Sequence, residues 1–243
     1  MTQIALITGA NRGLGFATAR RLAQDGLTVL VAGRDLGRAD RAAAELRREG
    51  RDAHALALDV TSASSIAAAA LVVEQRFGVL DVLVNNAGIL PEATAAGARD
   101  PLDVALFEQT FATNVFGVAA VTQAFLPLLA ESAAGRIVNV SSRMGSLADQ
   151  LDPDSPYYGL VLPAYQASKA ALNGITIALG KRLAGTPIRV ASVCPGWVQT
   201  DLGGPESRAA APLSAEEAAA TVVAAALGDA PARFSDAAGA VPW

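Results

Sequence analysis

Two groups of residues have the types and spacing to do chemistry. Tyr165-Gln166-Ala167-Ser168-Lys169 sets a phenol and an ammonium at i and i+4, on one face of any helix that spans them. A free phenol, with a pKa of about 10, is a poor base near neutrality, and a cation held beside it would lower that value enough for proton transfer. The lysine is itself a signal, because the chain otherwise prefers arginine and Lys181 is its only other lysine. Tyr157 and Tyr158 lack such a partner, since Val161 and Leu162 stand four positions on, and they are expected to line or brace a loop. The second group is Thr8-Gly9-Ala10-Asn11-Arg12-Gly13-Leu14-Gly15, which follows an apolar run and opens a helical one. There, backbone N–H groups and the positive end of a helix converge where a pyrophosphate could sit. Alone, the same residues make an ordinary tight turn.

Weaker groups recur at the ends of other apolar runs. The second run ends Val31-Ala32-Gly33-Arg34, without the acid that would bond a ribose 2′-hydroxyl, whereas Arg34 and Arg12 could clamp a 2′-phosphate. The alternative leaves both arginines in solvent and gives the ribose to Asp35. Asp59-Val60 and Asn85-Asn86-Ala87-Gly88, read unaided, are a helix cap and an Asn-rich turn. Ser141-Ser142, Asn114 and Pro195-Gly196-Trp197-Val198-Gln199-Thr200 would be a strand end, a helix-interrupting residue and a Pro-Gly turn.

Positioning these groups requires a regular frame. Apolar runs at 4–8, 28–32, 53–58, 80–84, 136–140 and 188–193 alternate with helical stretches at 14–24, 38–49, 64–77, 103–129 (with a possible break near Asn114) and 164–183. The runs are continuous rather than alternating, as strands covered on both faces must be. The expected architecture is one α/β domain over residues 1–243, a Rossmann-type doubly wound parallel sheet with helices on both faces. The stretches 143–163 and 196–213 break the rhythm and are expected as loops over the sheet's C-terminal edge. A last short strand is expected at 233–235.

Composition narrows the classes. The hydrophobic fraction of 52% is dispersed among Ala, Leu and Val, and no uninterrupted apolar run approaches the roughly 20 residues of a membrane span, so a soluble protein is expected. The first residues have no signal-peptide pattern, which predicts a cytoplasmic location. One cysteine, Cys194, and one histidine, His54, predict neither an internal disulfide nor a metal site; both are read as structural. A net charge of −4 without a basic block argues against nucleic-acid and anionic-membrane partners and leaves small molecules.

The T-G-x-x-x-G-x-G spacing of 8–15, the acid-free end of the second run, Ser142, the Tyr165/Lys169 pair and Pro195-Gly196 follow one another in an order that resembles the short-chain dehydrogenase/reductase family over essentially the whole chain. The likeness is greatest to carbonyl-reductase-type members, through Thr8 to Gly13, Ala32-Gly33-Arg34-Asp35 and the extra residues before Tyr165, which make the Ser142 to Tyr165 interval longer than is common. The resemblance implies NADP(H), bound through Gly9, Asn11, Arg12, Gly13, Leu14, Gly15 and Arg34, with Asp59 and Val60 at the adenine and Asn86, Ala87 and Gly88 beside the adenosine ribose. Pro195, Gly196, Val198 and Thr200 would hold the nicotinamide carboxamide. Catalysis would rest on Tyr165 as general acid/base, Lys169 beside it and on the ribose, Ser142 at the substrate oxygen, and Asn114 holding a water that links the lysine to solvent. The implied activity is reduction of a ketone or aldehyde, or oxidation of the matching alcohol. Alternatives are a 3-oxoacyl or polyketide ketoreductase, which would need basic residues such as Arg143 and Arg208 to dock an acidic carrier, and a cofactor-sensing protein, in which a damaged Tyr/Lys pair would be expected. Leu147, Trp197 and Leu202 suggest an apolar pocket, and a homo-oligomer is left open.

Overall fold

The computed structural model describes residues 2–94, 102–228 and 233–243. Strands β1 (Ile4–Thr8), β2 (Thr28–Gly33), β3 (Ala53–Ala57), β4 (Val82–Asn85), β5 (Arg136–Val140), β6 (Arg189–Val193), β7 (Phe234–Asp236) and β8 (Gly239–Ala240) form one sheet in the order β3-β2-β1-β4-β5-β6-β7-β8. All neighbours are parallel except β7 and β8, an antiparallel end that the sequence reading does not anticipate. Strand order reverses between β1 and β4, which opens the crevice where such sheets bind ligands.

Helices α1 (Gly13–Gln24), α2 (Leu36–Arg48) and α9 (Ala215–Leu227) accompany one face, and α3 (Ala63–Phe77) and α5 (Val118–Ala130) the other. Successive residues of β1 serve the two layers alternately. Ala5 and Ile7 pack with Leu22, Leu46 and Val222; Ile4 and Leu6 pack with Leu30, Val73 and Phe125. This is why a strand buried on both faces needs an unbroken apolar run. Local signals set the helix ends: Asp35 caps α2, Ser62 caps α3, which stops at Gly78 (φ 70°), and Ser214 and Glu217 form a capping box on α9. The Ser214 box marks a helix that the sequence reading leaves out.

The long helical stretch divides into α4 (Val104–Phe111), a π-turn (Ala112–Gly117) and α5, so the break expected near Asn114 is a widened turn rather than a stop. By length and composition Val104–Ala130 would pass for a membrane-crossing helix, but half of its 18-residue apolar stretch is buried within the fold. The two segments expected as loops carry short helices of their own, α6 (Leu147–Leu151) and α8 (Gly204–Ala210), each with a 3-10 turn before it. Helix α7 spans Pro163–Arg182.

Beneath the site a polar chain crosses the interior. Asn85 Nδ2 donates to Thr122 Oγ1 (3.1 Å) and Asn139 Oδ1 (2.9 Å), Asn139 Nδ2 donates to Thr176 Oγ1 (2.9 Å), and the Thr176 and Ser192 hydroxyls are hydrogen-bonded (2.8 Å). All five residues are buried, and each polar atom named has a partner, as a group taken out of water requires.

Candidate active site

The Gly-rich turn and the turn after β4 form one assembly across the crevice. Thr8 Oγ1 accepts the backbone N–H groups of Asn86 (3.0 Å) and Ala87 (2.9 Å), and Asn86 Nδ2 donates to the Thr8 carbonyl (2.8 Å). Asn86 is thus a strut of the turn itself. It also explains two glycines: a Cβ at Gly15 would lie 2.5 Å from Asn86 Nδ2 and 2.6 Å from the Gly9 carbonyl, and Gly9 itself has φ 65°. Helix α1 then starts with no side-chain cap from Arg12 and no acid in its first turn, leaving its positive end available, while Leu14 packs into the core.

At the end of β2, a side chain at Gly33 would meet Asn11 Oδ1 at 3.3 Å. Asp35 is occupied as a cap, accepting from Arg38 N (3.1 Å) and facing Arg38 Nε (3.4 Å). Arg34 is exposed and close enough to Asp59 to help depress its carboxyl, an effect led by the Thr61 backbone hydrogen bond. Arg34 makes no hydrogen bond or ion pair among the described residues. Arg12, expected to join it, instead contacts Asp201 at 2.6 Å, and Asp201 also holds Arg208 at 2.9 Å. Asp59 Oδ1 accepts from Thr61 N and Oγ1, and Val60 is buried beneath the π-turn. A side chain at Gly88 would come within 3.9 Å of Lys169 Nζ. Beyond β6, Pro195 leads into Gly196 (φ 84°), Val198 bridges to Leu213, and Thr200 accepts from Leu202 N. The 196–213 segment is thereby closed on itself rather than left open.

Tyr165 and Lys169 lie on the inner face of α7, with only 6% and 5% of their surfaces exposed. Lys169 Nζ is 5.5 Å from the Tyr165 ring centre and donates to the Val140 carbonyl at 2.8 Å. Ser142 lies close enough to the Tyr165 phenol to oppose the rise in its pKa. Ser141 turns the other way and donates to Asn173 Oδ1 (2.7 Å), so of the two serines it is Ser142 that faces the phenol. Asn114 holds both sides of the Ile89 peptide, accepting from its N–H (2.9 Å) and donating to its carbonyl (3.0 Å), and also donates to Ser168 Oγ (3.2 Å). The π-turn therefore directs a buried amide at α7, at Ser168, the residue before Lys169.

Electrostatics correct one expectation. Burial, followed by the charge of Cys194, pushes the phenol well above its ordinary range, and only the Ser142 side chain pulls it down. Burial also depresses Lys169, to about 8, with Cys194 opposing. The unliganded site thus favours a protonated phenol beside a readily deprotonated amine, not the lowered phenol expected from the lysine's charge. An unfolded lysine keeps its proton to about pH 10.4. Between these values the unfolded state binds more protons, so the penalty Lys169 places on folding is relieved as pH rises. Cys194, raised by burial, acts in the opposite sense. The stability of the wild type relative to Lys169→Met is therefore expected to rise between about pH 7.5 and about pH 9.5 in urea unfolding; a constant difference would contradict the depressed lysine.

Some residues near the site carry no signal in the sequence. Arg143, next to Ser142, makes a two-pronged ion pair with buried Asp149 (2.7 and 2.8 Å), reaches Asp236 of β7 (3.5 Å) and lies over the Tyr157 ring (5.1 Å). It fastens the 143–163 segment and the chain's end to the site, and Tyr157 braces that segment as expected. Asn173 extends the Tyr165, Lys169 stripe to i+8, and that spacing is the one sequence clue to it. Leu147, Trp197 and Leu202 are exposed, while Cys194 packs with Phe234 and Val241.

A parallel sheet whose order reverses beside a Gly-rich turn, with helices on both faces, is a Rossmann-type doubly wound fold. The chain belongs to the short-chain dehydrogenase family, whose model matches residues 3–211. It is 40% identical over 233 residues to the short-chain dehydrogenase anuI of Penicillium roqueforti, covering 92% of this chain and 88% of that one. It is 39% identical over 204 residues to a putative ketoacyl reductase of Streptomyces coelicolor, covering 83% and 72%. The NADPH-bound carbonyl reductase from chicken fatty liver superposes with a TM-score of 0.83 at 28% identity, covering 100% of this chain and 99% of that one.

Proposed function

We propose that the chain is an NADP(H)-dependent carbonyl reductase, with Tyr165 as the proton donor. The observation that carries this reading is the buried Tyr165 phenol, with Ser142 close enough to lower its pKa and Lys169 Nζ 5.5 Å from its ring centre. Bound NADPH would supply the hydride. Tyr165, kept protonated by burial, gives its proton to the substrate oxygen while Ser142 donates to the same oxygen and steadies its developing charge. Lys169 replaces the proton on Tyr165, and Asn114 keeps a water path to the lysine. The uncapped start of α1 and the glycines of the turn suit a pyrophosphate.

The phosphate-bearing cofactor is favoured because Asp35 is committed to Arg38 while Arg34 stands exposed and uncommitted, so a 2′-phosphate has a guanidinium and a ribose hydroxyl has no acid. Arg34→Ala is expected to weaken NADPH about tenfold and leave NADH within about a factor of two, as loss of one charge-assisted contact predicts. Equal losses for both cofactors in fluorescence titration would defeat this assignment. Turnover is tested by following NADPH absorbance over aryl ketones, aldehydes, diketones and quinones.

A second reading, reduction of a carrier-bound 3-oxoacyl group, is supported by the likeness to the Streptomyces coelicolor protein. The two arginines considered for carrier docking do not favour it, since Arg143 is held by Asp149 and Asp236, and Arg208 by Asp201.

A further inference from the structure

Every N–H at the start of α7 can be accounted for. The N-cap, Leu162, offers no side-chain acceptor, and Pro163 at the first position has no N–H to satisfy. Gln166 N already bonds the Leu162 carbonyl at 2.9 Å, and Leu162 N donates to the Gln166 side chain at 3.0 Å. Two N–H groups remain, those of Ala164 and Tyr165. Both are taken by one carboxylate far away in sequence: Glu92 Oε1 accepts from Ala164 N at 2.9 Å and Oε2 from Tyr165 N at 2.7 Å. A negative charge on the first turn of a helix also complements its dipole.

The origin of that carboxylate gives it meaning. Glu92 lies in the 3-10 turn Pro91–Ala93, six residues beyond Asn86, in the segment whose start is bonded to Thr8 and whose Ile89 peptide is held on both sides by Asn114. One short stretch of chain thus contacts the Gly-rich turn, the π-turn and the backbone of Tyr165. We propose that Glu92 is a positioning residue that sets the height of Tyr165 against the cofactor crevice by capping the first turn of α7 from outside the helix. This rests on the reading of Tyr165 as the proton donor. The phenol needs placement to well within an ångström for proton transfer, and the first turn of a helix without a local cap frays.

The test compares wild type, Glu92→Gln, Glu92→Ala and Tyr165→Phe, measuring NADPH affinity, kcat, and amide hydrogen exchange at Ala164 and Tyr165. Glu92→Ala is expected to lower kcat about tenfold with NADPH affinity within about a factor of two and faster exchange at the two amides. Glu92→Gln, which keeps one acceptor oxygen for the two donors, should fall between it and wild type. Full kcat or unchanged exchange in Glu92→Ala overturns the proposal. So does a parallel loss of kcat and NADPH affinity in which Gln is as damaging as Ala, the pattern of a merely structural residue. Failure of the reductase reading is seen separately, as a wild type without turnover or an active Tyr165→Phe. The exchange measurement needs no turnover and still decides whether Glu92 holds the turn.

Discussion

Tyr165→Phe is expected to lower kcat for carbonyl reduction about a thousandfold while NADPH affinity stays within about a factor of two, the scale set by loss of a positioned general acid. The substitution removes one oxygen and keeps the ring, so the packing of the buried side chain and the approach of Lys169 to its face are retained. Ser142 accepts from Met144 N at 3.2 Å, which holds it in place in the variant as well. The pH dependence of the proposed reaction follows from the same environment. Burial favours the neutral phenol, so near neutrality the site is set to donate a proton, as reduction requires. Alcohol oxidation needs the phenolate and should gain rate as pH rises. Substantial turnover in Tyr165→Phe would remove the phenol from the chemistry.

Gly145→Ala should be the most damaging single methyl addition near the site. Gly145 sits in the 3-10 turn directly after Ser142, and a Cβ there would stand 2.5 Å from the Lys169 carbonyl carbon, 2.6 Å from Lys169 Cβ and 2.7 Å from Ala170 N. Those are mostly backbone atoms of α7, which cannot rotate away as a flexible side chain would, so α7 or the turn must move. Overpacking of this kind costs about 1–3 kcal/mol, occasionally more. The displacement falls between Ser142 and Lys169, and a shift of about 1 Å there can cost a further hundredfold in rate. Urea unfolding and kcat should both register the change; a variant with wild-type midpoint and rate would mean that the close approach is easily relaxed.

The sheet and its long helices were legible because the information is periodic and local. Continuous apolar runs identified six strands, and β1 and β5 coincide with the expected bounds. The grouping of Tyr165, Lys169, Ser142 and Asn114 was legible through resemblance, and through the i, i+4 spacing for the first two. What stayed hidden depends on contacts between distant residues. Glu92 has no local mark of a helix cap because the helix it caps begins more than 70 residues later. Gly145 reads as a loop glycine, and only the proximity of α7 explains the missing side chain. The ion pair of Arg12 with Asp201 joins residues far apart in sequence and leaves no mark in either local stretch. α6 and α8 are too short for periodicity to reveal them, and the phenol's raised pKa is a property of burial rather than of the neighbouring charge.

The fastening of Arg143 to Asp149 and Asp236 bears on the timing of maturation. Asp236 lies in β7, after β6 in sequence, and Trp243 beyond it also accepts from Ala148 N at 3.3 Å. A ribosome delivers residues in order, so the walls around Ser142 stay unfastened until Asp236 has emerged, after the strands from β1 to β6 are free to collapse. Contacts spanning so much of the chain carry high loop-closure entropy and form late. The nascent protein should therefore acquire its capacity to hold a dinucleotide before its substrate pocket matures, and translation paused before the last strand should yield a binder without turnover.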